Sequence, residues 1–237
     1  MPPELVNFAV KNSFKRIQMD GIELIKRYFP ELTDRQLTQF EIMGRLYPEW
    51  NAKINVISRK DIDRLWVNHI LHSLAIARFL GPLVPGTTIM DLGTGGGFPG
   101  IPLAVIYPEV QFTLIDRIGK KLRVAGDVAA QAGIGNVRLI HGDSGECHDR
   151  FDYVVSRAVM PLDKLVAVAA RNIARKPHPG NRYSPGIICL KGGDLTEESR
   201  AVRYPVVEYS LDEFIPGQNY GSDDKKLVFV SISNNDC

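Results

Sequence analysis

Hydrophobic positions follow two rhythms along the chain. Over residues 20–80 they recur at three- and four-residue spacing, which predicts helices. Thr33 and Gln36 form a capping box ahead of Leu37, Phe40, Met43, Tyr47 and Trp50. A second helix is predicted from Ile62, Leu65, Trp66, His69, Ile70, Ser73, Leu74 and Ala77, with Gly81 as its stop before Pro82. The stretch from Asn51 to Ser58 reads as a polar connection. Trp50 and Trp66 fall on helical stripes and read as core. After Pro85-Gly86 the rhythm becomes strand, turn, helix. Short apolar runs occur at Thr87–Asp91, Val110–Asp116, Val137–His141, Phe151–Ser156, Gly186–Leu190, Val206–Ser210 and Leu227–Ser233. Helical patterns fall at Gly100–Tyr107, Lys120–Ala132 and Leu162–Ile173. This alternation predicts an α/β fold, a seven-stranded and mostly parallel sheet covered on both faces. No helix is evident between the last two runs, which predicts an antiparallel hairpin at one edge. Arg175–Pro185 reads as a proline-broken loop. The expected organisation is a helical N-terminal extension over residues 1–82 and an α/β domain over 83–237.

The most informative stretch runs from Asp91 to Gly100, D-L-G-T-G-G-G-F-P-G. An apolar strand ends in a carboxylate, and glycines then let the backbone turn tightly and approach a ligand without Cβ interference. The helix that follows opens with unpaired N–H groups. Two cofactors fit such a loop. Gly95-x-Gly97-x-x-Gly100 matches the dinucleotide spacing, with Asp116 placed to take a ribose hydroxyl. Read as D-x-G-x-G-x-G, the run is similar to the S-adenosylmethionine loop of class I, Rossmann-like methyltransferases. Asp91 favours the second reading, because a carboxylate there opposes a pyrophosphate yet suits the ammonium end of methionine. Asp116 ends an apolar strand at the sheet edge where open α/β folds bind ligands; its plainer role is capping the next helix. Asp143 and Ser144 follow the third strand and read either as adenine neighbours or as turn formers.

Composition adds bounds rather than chemistry. The chain has 237 residues, 44% hydrophobic and 24% charged, which fits a globular protein. The net charge of +2 is too small to announce a nucleic-acid binder. It averages over +3 in residues 1–60, +3 in 61–190 and −4 in 191–237, so a basic face can hide in the total. Cys147, Cys189 and Cys237 are far apart and form no zinc pattern, and His141, Cys147 and His148 do not supply one either, so no metal is expected. No apolar run approaches a membrane span, and the N-terminus lacks the apolar core of a signal peptide, so a cytoplasmic location is expected.

Several stretches together resemble the bacterial small-subunit (16S) rRNA methyltransferase G family, also called glucose-inhibited division protein B. They are Asn51-Ala-Lys-Ile-Asn55, His69-Ile-Leu-His72-Ser73-Leu74, Asp91 to Leu103, Phe112 to Asp116 with Gly119-Lys120-Lys121, Phe151 to Ala158, and Leu190-Lys191-Gly192. The resemblance implies transfer of a methyl group from S-adenosyl-L-methionine to N7 of a guanosine in the 530 loop of 16S rRNA, leaving S-adenosyl-L-homocysteine. It implies cofactor contacts at Gly93, Phe98, Asp116, Ser144, Gly145 and Arg157, to which the motif reading adds Asp91 and Gly95. On the substrate side it implies Asn55, His69, Arg157 and Lys191. The partner is 16S rRNA or the small ribosomal subunit, with no membrane, and the protein is expected to be a monomer. The family's Arg-Ala-Glu after the third strand is here Asp143-Ser144-Gly145, and its C-terminal Arg-His pair is Lys225-Lys226. Residues 1–18 precede the usual family start, with Met19 a natural beginning. Lys26, Arg27, Arg35, Arg45, Lys53, Arg59, Lys60 and Arg64 are the expected RNA-facing residues, with Arg175, Lys176 and Arg182 as a second group. Three other readings stay open on the residues alone: a small-molecule methyltransferase, an NAD-dependent oxidoreductase, and a non-catalytic RNA-binding assembly factor.

Overall fold

Helix α1 (residues 20–28) and helix α2 (Asp34–Asn51) begin the computed structural model, which describes residues 20–157, 159–220 and 224–232. The expectation about residues 1–18 lies outside these. Thr33 caps α2 through the capping box the sequence predicts: its hydroxyl accepts from the Gln36 amide while Gln36 reaches back to Thr33. The same Gln36 side chain donates to the Val105 carbonyl at 2.9 Å, so one cap both starts the helix and docks it on the α/β domain. Phe40, Met43 and Tyr47 are fully buried along its inner stripe. Trp66 is core, as expected, and a Cβ on Gly21 or Gly44 would overlap its ring. Trp50 is half-buried and donates to Asp127 at 2.7 Å.

The second helix is not one continuous α-helix. It opens with a 3-10 turn (Ile62–Arg64), widens into a π-helical segment (Leu65–Leu71), and only then becomes helix α3 (His72–Leu80), ended by Gly81 at φ 66°. Such wide turns concentrate at functional sites, and this one carries Asn68 and His69.

The seven strands are β1 (Thr88–Leu92), β2 (Gln111–Asp116), β3 (Val137–His141), β4 (Tyr153–Arg157), β5 (Gly186–Gly192), β6 (Val206–Ser210) and β7 (Lys225–Ser231). Their order is β3-β2-β1-β4-β5-β7-β6. The first five are parallel, and β7 runs antiparallel to both β5 and β6, so the edge hairpin is present with β7 on its inner side. Helices α4 (Gly100–Ile106), α5 (Gly119–Gln131) and α6 (Leu162–Ala169) connect the parallel strands. The pattern over Leu162–Ile173 is α-helical only to Ala169 and closes in a 3-10 turn (Ala170–Asn172). Helix α7 (Thr196–Arg200) escapes the periodicity reading because none of its five residues is buried.

The helices of the extension, with α4 and α5, share one continuous core with one face of the sheet. A smaller core beneath α6 covers the other face. The strand order reverses between β1 and β4, whose carboxyl ends deliver Gly93 and Arg157 to the same edge. In open α/β sheets that reversal is where ligands bind.

Candidate active site

After β1 the backbone turns back over the sheet edge: the N–H groups of Gly93 and Thr94 both donate to the Ile115 carbonyl, at 2.9 and 3.1 Å. Gly93, Gly95 and Gly97 take φ values of 71°, 58° and 107°, which side chains with a Cβ rarely adopt. A Cβ on Gly95 would meet nothing within 4 Å, so this part of the loop is open to a ligand.

Asp91 differs from its expected role. It is fully buried beneath the loop, where Oδ2 accepts from the Thr94 hydroxyl at 2.6 Å and the Gly100 amide at 2.7 Å. It thus ties the start of α4 to the end of β1 rather than facing the open cavity. Burial pushes its carboxyl up to about 7, against the lowering effect of these hydrogen bonds and of Arg157. Asp116 ties down the turns on either side of it, although α5, with Ile118 as its N-cap, has no side-chain cap. Oδ1 accepts from the Ile118 amide at 2.8 Å ahead of α5, Oδ2 accepts from the Gly95 amide at 2.7 Å, and the residue lines a cavity of about 670 Å³. Gly93, Gly95, Gly142, Asp143 and Arg157 also line it. Ser144 and Gly145 follow in a 3-10 turn, with the Gly145 amide donating to Asp143 at 2.9 Å.

Phe98 is buried at the far end of the loop, its ring 4.5 Å from that of Tyr47 and 5.4 Å from that of His69. The Arg157 guanidinium stands 5.2 Å from the same ring, donates to the Asn68 carbonyl at 3.3 Å and lies 2.9 Å from His69 Nδ1. Arginine only donates, so Nδ1 of His69 accepts and the imidazole is neutral. Burial, reinforced by Arg157, lowers its pKa to about 3. Burial also brings Arg157 down to about 10, while Asp91, Tyr47 and Asp61 pull it back up.

Beyond Arg157 lies a second cavity of about 300 Å³, lined by Asn68, His69, His72, Arg157, Lys191 and Tyr220 among others. Arg157 lines both cavities and forms the wall between them. His69 is therefore a packed residue and a cavity residue at once. Lys191 is not a free cation for phosphate or O6. It is 9% exposed, pairs with Glu198 at 2.5 Å and donates to the Met160 carbonyl at 3.0 Å. Lys225 lines the second cavity, whereas Lys226 pairs with Glu208 at 2.9 Å.

Asn55 is not brought to this group. It is exposed and lines a separate cavity of about 530 Å³ with Lys53, Arg59, Leu65 and Trp66. Its loop is tied by Asn51, whose Oδ1 accepts from the Val56 and Ile57 amides at 3.0 and 2.9 Å, and Val56 then packs against Gly96. Of the expected RNA-facing cations, Lys26 and Arg45 pair with Glu23 and Glu49, and Arg35 and Arg64 reach the Gly133 and Asn219 carbonyls.

The model of the family described as rRNA small subunit methyltransferase G matches residues 36–201, which contain both the glycine loop and the Arg157 wall. The chain belongs to this family. The ribosomal RNA small subunit methyltransferase G of Porphyromonas gingivalis is 54% identical over 215 residues, covering 91% of this chain and 96% of that protein. That of Phocaeicola vulgatus is 49% identical over 212 residues, covering 90% and 99%. A solved structure of a SAM dependent methyltransferase from Aquifex aeolicus covers 76% of this chain and 96% of its own, with a TM-score of 0.51 at 15% identity; that likeness shows the class I methyltransferase fold. Membership of methyltransferase G makes the glycine loop that of a methyltransferase and sets aside the oxidoreductase and the non-catalytic readings. Among the described residues, no helix is long and apolar enough to cross a membrane, and no group of three or more His, Cys, Asp or Glu is placed to hold a metal ion.

Sequence reasoning missed Tyr47, which is fully buried and donates to the Gly96 carbonyl at 2.9 Å. It also missed Glu198, which neutralises Lys191 and accepts from the Leu162 amide at 2.7 Å. Tyr47 sits on an ordinary apolar stripe, and α7 has no stripe at all, so neither carried a signal.

Proposed function

We propose that the protein transfers a methyl group from S-adenosyl-L-methionine to N7 of a guanosine in the 530 loop of 16S rRNA. It acts as a cytoplasmic monomer, with the helical extension over residues 1–82 and the methyltransferase domain over 83–237. The observation that carries this reading is Arg157, which lines both the glycine-loop cavity and a second, polar cavity and stands against the Phe98 ring.

The first cavity fits the cofactor. Gly93 and Gly95 present backbone without Cβ atoms, Asp116 has lone pairs left for ribose hydroxyls after its two amide contacts, and Gly142 and Asp143 close the adenine side. When bound, S-adenosylmethionine supplies a methyl group on a sulfonium sulfur. Guanine N7 carries a lone pair in the ring plane and holds no proton, so no general base is required of the protein. The residues act by alignment and by excluding water. Arg157 is fixed by His69 and Asn68, and the Phe98 ring it stands against is held by Tyr47 and His69, so the side chain shared by the two cavities is rigidly placed. Loop nucleotides in RNA are recognised through splayed bases and phosphate contacts. The exposed Lys53, Arg59 and Lys60 of the extension's loop would supply cations for such contacts.

The test is transfer of a labelled methyl group to small ribosomal subunits isolated from cells lacking the gene, followed by mapping of the labelled nucleotide. The expected product is one 7-methylguanosine in the 530 loop. Label on another base, or none with subunits and with naked rRNA alike, would overturn the reading.

A further inference from the structure

Six buried side-chain polar atoms in the described residues have no hydrogen-bond partner, and four of them belong to residues that line the same cavity of about 300 Å³: Asn68 Oδ1, His69 Nε2, His72 Nε2 and Tyr220 Oη. An unsatisfied buried polar atom is destabilising, so folded proteins hold few of them. Four in one cavity mark a surface whose partner is a ligand.

The chemistry of that ligand follows from which atoms can give a proton. The Asn68 amide nitrogen donates to Asp61 Oδ1 at 3.2 Å, which leaves its side-chain carbonyl oxygen, an acceptor, without a partner. His69 accepts from Arg157 on Nδ1, so the proton of the neutral ring sits on Nε2, a donor. The His72 ring donates to the Asn68 backbone carbonyl, and its unpartnered Nε2 is left with a lone pair, an acceptor. Both imidazoles stay neutral at physiological pH, because burial lowers each pKa to about 3. Tyr220 Oη can donate or accept, and its ring lies 5.3 Å from that of His72. The cavity therefore shows two fixed acceptors, one fixed donor and one adaptable hydroxyl.

We infer that this cavity is the base-reading pocket for guanine, with Asn68 and His72 accepting from the N1–H and exocyclic amine of its Watson–Crick edge and His69 donating to O6. The inference rests on the guanine-N7 activity proposed above and adds its specificity determinants. The pattern of guanine on that edge is donor, donor, acceptor, the complement of the pocket. Adenine offers a lone pair at N1 and would leave acceptor facing acceptor. N7 lies outside the contacted edge and stays unpaired, as methylation demands. Neutrality of the histidines matters for the same reason: a cationic imidazole at this place would have no acceptor to offer.

The experiment uses the full chain with a small-subunit rRNA substrate carrying guanosine or inosine at the methylated position. Inosine keeps N1–H, O6 and N7 and lacks only the exocyclic amine. The wild-type protein is expected to use the inosine RNA at least about 10-fold less efficiently in kcat/KM, as for loss of one specific base contact. His72→Phe keeps a ring and removes the acceptor. It should lower transfer to guanosine while leaving transfer to inosine within about 3-fold, so the preference collapses; such non-additivity is the signature of a direct pair. Asn68→Ala is the second variant, and soluble protein of either one is sufficient. No transfer to guanosine RNA by wild-type protein would overturn the activity and the pocket with it. Normal transfer to guanosine RNA with no preference over inosine, or a preference unchanged in the soluble variants, would overturn the pocket alone and leave a water-filled cavity.

Discussion

On the glycine-loop side of Arg157 the polar groups are paired, Asp91 Oδ1 excepted. Asp116 holds the Gly95 and Ile118 amides, and Asp91 Oδ2 holds Thr94 and Gly100. On the far side, Asn68, His69, His72 and Tyr220 each carry a buried, unpartnered atom. The first cavity is shaped by backbone that its own carboxylates hold in place, so its form exists before any ligand arrives. The second is shaped by side chains whose hydrogen bonding is completed only when something enters. The contrast teaches that a transferase of this kind separates two tasks. A rigid loop fixes one reactant, and a polar pocket selects the other.

Arg157 belongs to both sides, so its loss has the largest expected effect. Arg157→Ala should reduce single-turnover methyl transfer by roughly 100-fold or more, because it removes the wall that aligns the two reactants. Arg157→Lys should recover little, since a single ammonium cannot reach His69 and the Asn68 carbonyl together as the guanidinium fork does. Recovery by lysine to near wild-type rate would show that only the charge matters.

Gly97→Ala attacks the loop side alone. At φ 107°, with a new methyl 2.6 Å from Ile101, it should cost about 1–3 kcal/mol. In a chain of this length that lowers Tm by roughly 2–10 °C in a melting experiment. The cofactor KM should rise in parallel. Tyr47→Phe is milder. It removes the donor from the Gly96 carbonyl, worth about 1–3 kcal/mol where the acceptor is left buried, and should raise the cofactor KM several-fold with little change in kcat.

The smallest effect separates the two cavities by pH. His69 and His72 have folded pKa values of about 3, below that of the unfolded imidazole, so acidification from pH 6.5 toward 3 favours the unfolded chain, which takes up their protons. Asp91 has the opposite sign. Its folded value of about 7 lies above the unfolded one, so its contribution is present at low pH and is lost as pH rises through 7. His72→Phe should therefore lessen the fall in Tm between pH 7 and pH 5, and Asp91→Asn should deepen it. Equal pH slopes in the two variants would remove the distinction.

The two cavities also differed in how far the sequence disclosed them. The glycine loop is contiguous, and each glycine has a local conformational reason to be there. Asp91, Gly93, Gly95 and Phe98 could thus be read in order along one strand and turn, with Asp116 at the end of the next strand, although Asp91's role beneath the loop could not. The polar cavity draws on the π-helical segment and α3, the end of β4, the end of β5 and the segment before β7. Asn68 and Tyr220 sit in no motif, and His72 falls off the apolar stripe read for its helix, entering only within the stretch His69 to Leu74 quoted for the resemblance. Only the sheet order and the local widening of the helix bring them together. The strands were readable because buried parallel strands are continuous apolar runs. Helix α7 was not, because it buries nothing and serves by placing Glu198 beside Lys191.

The separation of tasks is tested most directly by titrating the wild-type protein with S-adenosylhomocysteine and following backbone amides and histidine rings by NMR. The account predicts that the amides of Gly93, Gly95, Asp116 and Gly142 move while the His72 ring and Tyr220 keep their signals. Large shifts at Asn68, His72 and Tyr220, with Gly93 and Gly95 unmoved, would contradict it.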